Sequence, residues 1–263
     1  MKSLIRKIGV AIAFSPRIQA LLAEAARFKM LWNAELILIH VGEHTEKETA
    51  ILQQLLQDVG LSVSDVHVRW LQGKPAEQIL NACKQEQVDL LLAGALKKEN
   101  LVKYYLGSVA LKILRKADCS VLMLTDPAVQ PMPFKNIVVN AEESSFVEDA
   151  LATACYIGKK EKSSWLHVVR EIKMYGLTMS AAEQCTEQEY EALRNSLVQD
   201  EVKTVEQVLQ RIPHEGLKVN IKLVSGKSGF ELAKFAERKH ADLLVVGAPA
   251  RKFSFFDRVF PHD

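Results

Sequence analysis

A chain of 263 residues with 48% apolar and 25% charged side chains has the composition of a folded globular protein, and its length suits two compact domains better than one. Its 34 basic and 32 acidic residues leave a formal charge of +2 spread along the chain, which excludes the one-signed field of a generic nucleic-acid binder. No run approaches the ~18 apolar residues that cross a bilayer, and residues 1–19 are broken by charge and proline where a signal peptide is continuously apolar. A cytoplasmic protein without membrane insertion is expected.

Short apolar runs alternate with longer helical patterns, the written form of a parallel sheet covered by helices on both faces. The spacing predicts strands over 8–13, 35–41, 66–71, 88–93 and 120–125. Helices are predicted over 18–32, burying Leu21, Leu22 and Ala25, and over 45–59, 76–85 and 107–116. The pattern then stops at Pro127, Pro131 and Pro133, which lack a backbone donor and oppose both helix and central strand.

Beyond these prolines the order restarts, with a strand over 137–141, a helix over 146–157 and a strand over 164–169, where His167-Val168 echoes His40-Val41. Gly73-Lys74, Asp89-Leu90-Leu91 and Gly94 recur as Gly226-Lys227, Asp242-Leu243-Leu244 and Gly247 at one offset, 226 − 73 = 242 − 89 = 247 − 94 = 153. The second copy carries a longer segment over 181–212, with Leu193, Leu197, Val205, Val208 and Leu209 at helical spacing, read as a long helix or helical hairpin. The expected architecture is two tandem open, doubly wound, Rossmann-like parallel sheets: a first domain over 1–127, a linker over 128–133, and a second domain over 134–263. The second copy lacks residues for a last helix and strand, so the sequence is read either as a fragment or as leaving an edge that another chain covers.

After the fourth strand come Gly94-Ala95-Leu96-Lys97, nine residues, and Gly107-Ser108 opening a helix. Small residues there let backbone N–H groups surround an anion. This pattern resembles the Gly-x2-Gly-x9-Gly-Ser/Thr motif of the universal stress protein family, and the duplication and element order are similar to that family across nearly the whole chain. The resemblance implies an adenine nucleotide alpha hydrolase-like fold and ATP or another adenine nucleotide as ligand; from the residue spacing, no metal is expected. It places Gly94, Gly107, Ser108 and Val109 at the phosphates and Val41 beside the base. It also implies self-association, as an intrachain pseudo-dimer and as a homodimer.

Departures from the motif weaken the site. Lys97 stands at the second glycine, where it either adds a cation for a phosphate or fills the phosphate's space, and occlusion is favoured. The family's nucleoside-binding aspartate aligns with Ala13, whose methyl accepts no hydrogen bond. In the second copy it aligns best with Glu142, a shift of two giving Asn140, but Gly247 is followed by Pro249 and later by Phe260-Pro261 where the motif has Gly-Ser. Each copy retains a part the other lacks, and degeneration after duplication is a simpler account than a split site. A turn and helix cap without any ligand stands as an equal reading of these glycines.

Other features carry less. Ser225-Gly226-Lys227-Ser228-Gly229 imitates a phosphate loop, but Ile221 occupies the required earlier glycine. His40 and His167 are read as packing at the ends of equivalent strands, and the lysines Lys97, Lys98 and Lys103 beside Tyr104-Tyr105 as solvated. Cys83, Cys119, Cys155 and Cys185 lie far apart without metal-ligand or CxxC spacing, so reduced thiols are expected. Phe253, Phe255, Phe256 and Phe260 are expected to pack on the sheet or a second subunit. The functional expectation is a stress-associated regulatory or binding protein with a degenerate nucleotide site and no catalysis. The alternatives are an enzyme of the same fold using Lys97 and Ser108 in phosphoryl or adenylyl transfer, and a soluble regulatory part of a larger assembly such as a transporter.

Overall fold

The computed structural model describes residues 5–95, 107–172, 186–225 and 229–247. The chain divides into two compact units, Met1–Met132 and Pro133–Asp263, the boundary falling within the proline-bearing stretch. In the first unit β1 (Lys7–Ile12), α1 (Ile18–Trp32), β2 (Glu35–Val41), α2 (Glu46–Asp58), β3 (Val66–Leu71), α3 (Pro75–Glu86), β4 (Leu90–Gly94), α4 (Ser108–Lys116) and β5 (Ser120–Leu124) follow one another. The sheet has the order β3-β2-β1-β4-β5, with every neighbouring pair parallel.

The second unit contains β6 (Asn136–Asn140), α5 (Val147–Glu161), β7 (Trp165–Ile172), α6 (Glu187–Leu209), β8 (Val219–Ser225), α7 (Phe230–Arg238) and β9 (Leu243–Val245). Its sheet, again parallel throughout, has the order β8-β7-β6-β9, four strands among the described residues. The segment expected over 181–212 is a single helix over Glu187–Leu209, started by a capping box in which Thr186 and Glu189 bond each other's backbone N–H.

Central strands are buried on both faces, which is why they read as continuous apolar runs. Leu36 to His40 of β2 are all buried. Ile37 and Ile39 point into a cluster with Ala76, Ile79, Ala82, Cys83, Leu91 and Ile113 from α3, β4 and α4. By strand alternation Leu36 and Leu38 face the opposite side. In the second unit Val138, Val169 and Val224 of three adjacent strands meet Leu232 and Phe235 of α7.

The duplication survives as identical local physics. Asp89 Oδ2 accepts the backbone N–H groups of Arg6 and Lys7 at 2.8 and 2.9 Å, and Asp242 Oδ2 accepts those of Lys135 and Asn136, both at 2.8 Å. Each carboxylate thus ties the entry of the fourth strand to the entry of the first. Among the described residues, the non-glycine residues with positive φ also form two equivalent pairs. Asn33 and Lys162 end α1 and α5, while Gln87 and His240 follow α3 and α7, with φ between 47 and 56°. Both copies therefore stop these helices in the left-handed conformation without a glycine, at a backbone cost that packing must offset.

Replacing Asp89 or Asp242 with Asn keeps the shape and one acceptor oxygen but removes the charge that strengthens both hydrogen bonds. Each change is expected to destabilise its own unit by about 1–3 kcal/mol, read as a lowered urea midpoint with an unchanged m-value.

Candidate functional site

In each sheet the strand order reverses beside the first strand, between β1 and β4 in the first unit and between β6 and β9 in the second. The loops leaving their carboxyl ends therefore diverge and open a crevice. In the first unit Ala13 follows β1 and is exposed, Val41 ends β2 half-buried, and Gly94 ends β4 with open space where a side chain would stand. Because β4 and β5 are parallel, α4 must run back between them and so begins at this same edge. Gly107 precedes α4 with φ −61° and ψ 161°, no side chain caps the helix, and Ser108 and Val109 are exposed. Ala13, Val41, Gly94, Gly107, Ser108 and Val109 thus share one edge of one sheet. Lys97 lies outside the described residues.

Two neighbours of this edge carry no motif. Arg17, just ahead of α1, donates Nη1 to the carbonyls of Ala95 (3.4 Å) and Thr125 (3.3 Å), bridging the loop after β4 to the end of β5. On the other side of β1, four rings pack over the ends of β1, β2 and β3. Phe14 and Trp70 lie parallel with centroids 6.1 Å apart, His40 meets both edge-on at 5.0 and 5.2 Å, and His44 stacks on Trp70 at 4.2 Å. The adjacent Gly42 is required by this packing, since a Cβ there would lie 2.7 Å from His40 Nε2. Sequence reasoning missed both features: a single arginine has no signature, and the rings are scattered from 14 to 70 until the sheet gathers them. The edge is aromatic at one end and cationic, with helix N–H groups, at the other.

Strand register fixes the equivalent positions in the second unit. Ile8 pairs with Leu36 and Leu90, and Ile137 with Leu166 and Leu243, so the first strands correspond at 137 − 8 = 129 and the second at 166 − 36 = 130. Glu142 therefore stands at the position of Ala13, Phe146 at that of Arg17, Arg170 at that of His40, and Glu171 at that of Val41. His167 is not the counterpart of His40, contrary to the expectation from the His-Val echo. A two-residue echo cannot fix register, and β7 continues four residues beyond the point at which that echo would end it.

The second edge is occupied by the chain's own groups. Buried Arg170 pairs through Nε with Glu201 Oε2 of α6 at 2.6 Å and donates Nη1 to Ala141 O at 3.1 Å, with Glu143 Oε2 at 3.5 Å from Nη2. The Ala141 carbonyl corresponds to that of Ile12, 3.3 Å from His40 Nδ1, so each copy satisfies the last carbonyl of its first strand with a different side chain from its second. Glu171 Oε1 accepts Gly229 N–H at 2.7 Å at the start of α7, a carboxylate at the positive end of a helix. Glu142 is half-buried, its N–H donating to Asn140 Oδ1 at 3.3 Å. Gly247 has none of the space found at Gly94, for a Cβ there would lie 2.8 Å from Phe146 O. Residues 226–228 and 248–263, among them Gly226, Lys227 and Ser228 and the late phenylalanines, lie outside the described residues. Among the described residues no three His, Cys, Asp or Glu side chains are grouped to hold a metal ion, and no helix is long and apolar enough to cross a membrane.

Two consecutive parallel α/β units, each with a switch-point crevice, define a duplicated doubly wound nucleotide-type fold. The family model of the universal stress proteins matches residues 42–125 and 133–256, and the chain belongs to that family. A universal stress protein of Methanocaldococcus jannaschii is 28% identical over 93 residues, 35% of this chain and 53% of that protein. The chain thus spans about half the length of the curated relative it matches. Among solved structures, a universal stress protein of Archaeoglobus fulgidus has a TM-score of 0.65 at 18% identity, covering 93% of this chain and 86% of that one. A Pseudomonas aeruginosa protein of unknown function has a TM-score of 0.68 at 20% identity, covering 97% and 86%. At these identities the likeness shows the fold. Solved members of the family that match 46% of this chain, at TM-scores of 0.39 and 0.35, include one in complex with cAMP and one in complex with dAMP.

Two predictions arise from the second unit. Arg170→Ala strands the Ala141 carbonyl and Glu201 and is expected to cost about 2–4 kcal/mol, seen as early loss of that unit in urea. Burial, reinforced by Lys239, holds the His167 imidazole below its usual pKa, and Asn220 Nδ2 lies 3.1 Å from its Nδ1. The unfolded chain therefore takes up this proton at higher pH than the folded one. The associated stability is present above about pH 6.5 and is lost as the pH falls through the folded-state value. His167→Gln is expected to flatten the fall in amide-exchange protection of β7 between neutral and mildly acidic pH.

Proposed function

We propose that this chain is a non-catalytic, stress-associated binding protein whose working site is the carboxyl edge of the first unit, taking an adenine nucleotide or a similar planar phosphate ester. The contrast between Gly94 and Gly247 carries this reading: one equivalent glycine faces open space, and the other is closed by Phe146. Support comes from the polarity of the first edge. The rings of Phe14, His44 and Trp70, supported from beneath by buried His40, offer an aromatic surface to a base, while the N-terminus of α4 suits a phosphate. Ala13 leaves the sugar without a charged acceptor, so affinity is modest and ribose discrimination weak. The second unit, with Arg170, Glu201, Glu171 and Glu142 at the matching edge, holds itself together where the first holds a ligand. Self-association and a cytoplasmic setting belong to the same proposal.

The test is titration of the full chain with ATP, following Trp70 emission and heat. Saturable binding is expected, weakened at least about tenfold, or 1.4 kcal/mol, by Gly107→Glu, which sets a carboxylate against the phosphates, and unchanged by Glu142→Gln. Loss of binding in the second variant but not the first would place the site in the wrong unit. ATP turnover above background that disappears with Gly107→Glu would make the protein an enzyme and overturn the reading.

A further inference from the structure

Arg17 is a half-buried cation that pairs with no acid among the described residues. Its Nη1 donates to the carbonyls of Ala95 and Thr125 at 3.4 and 3.3 Å, which lays the guanidinium across the ends of β4 and β5. Among the described residues its Nε and Nη2 find no acceptor. Arg27, Arg69 and Arg170, likewise half-buried or buried, are instead paired with Glu24, Glu86 and Glu201. A guanidinium partly withdrawn from water and held by two neutral carbonyls keeps its full charge for an anion, and its planar fork of donors matches a phosphate.

Strand order decides which part of a ligand this charge meets. In the order β3-β2-β1-β4-β5 the ring cluster lies over the ends of β1, β2 and β3, and Arg17 over those of β4 and β5. From β2, at the middle of the rings, to the junction of β4 and β5 is two and a half strand spacings, roughly 12 Å at ~4.8 Å each. An extended polyphosphate spans that distance from a base stacked on the rings, and a monophosphate does not. Ala13 offers the sugar no acceptor, so the phosphate end carries a larger share of the affinity. We propose, on the nucleotide reading of this edge, that Arg17 recognises the terminal phosphates and makes the site select nucleoside di- and triphosphates over monophosphates. Phe146 at the matching position leaves the second unit without this cation.

The full-length protein and its Arg17→Gln and Arg17→Lys variants are titrated calorimetrically with ATP and with AMP, and urea midpoints show whether each is folded. The unmodified chain is expected to bind ATP at least about tenfold more tightly than AMP. Arg17→Gln keeps a hydrogen-bonding group and loses the charge. It is expected to bring the two affinities within about twofold by weakening ATP alone, and to flatten the salt dependence of ATP binding. Arg17→Lys keeps the charge without the fork and is expected to fall between the two, and it carries the test if Arg17→Gln does not fold. Equal weakening of ATP and AMP would make Arg17 a strut for the loop after β4 and overturn the proposal, as would an ATP affinity that both variants leave unchanged. An unmodified chain that binds ATP and AMP alike removes the phosphate selection and leaves the nucleotide site standing, whereas one that binds neither removes both.

Discussion

One carboxylate at the entry of the fourth strand ties together the two strands on which each unit's crevice is built. Asp89 and Asp242 each accept two backbone N–H groups from the entry of the first strand, and so set the two strands that flank the switch point in fixed register. The divergence of the loops at the opposite ends follows from the reversal of strand order beside the first strand, and the register sets the heights at which those loops leave the sheet.

On that shared frame the two units solve the same local problem with opposite chemistry. The last carbonyl of the first strand needs a donor at the edge of the crevice. The first unit supplies the His40 ring and surrounds it with Phe14, Trp70 and His44, whereas the second supplies the Arg170 guanidinium and draws in Glu201 from α6. An aromatic solution places uncharged rings at this edge. A guanidinium solution consumes its own charge inside the protein and requires the longer helix that brings Glu201 to it. The segment between β7 and β8 is longer than its counterpart, and α6 within it places an acid on the buried cation.

Much of this was legible beforehand, for reasons that differ between elements. The strand and helix order could be read because buried parallel strands and amphipathic helices leave different periods in the apolar residues, and α1, β2 and β3 fall where the spacing puts them. The proline stretch marked the division between units. Gly94 at the end of β4 and Gly107 ahead of α4 could be placed because the strand and helix periods bracket them. The equivalence of His40 and His167 was misread, since alternation along a strand leaves the register undetermined over two residues and only pairing with β6 and β8 fixes it. Arg17 and the ring cluster left no trace in spacing, because each joins residues from separate elements.

By itself the amino-acid order determined what short-range physics controls: which segments are strand or helix, that the set is repeated, and where glycine leaves a helix start bare. Tertiary structure alone decided which side chains meet at the crevice and which copy has room there. Those outcomes depend on strand register and on the packing of helices across the sheet, quantities set by contacts between residues far apart along the chain.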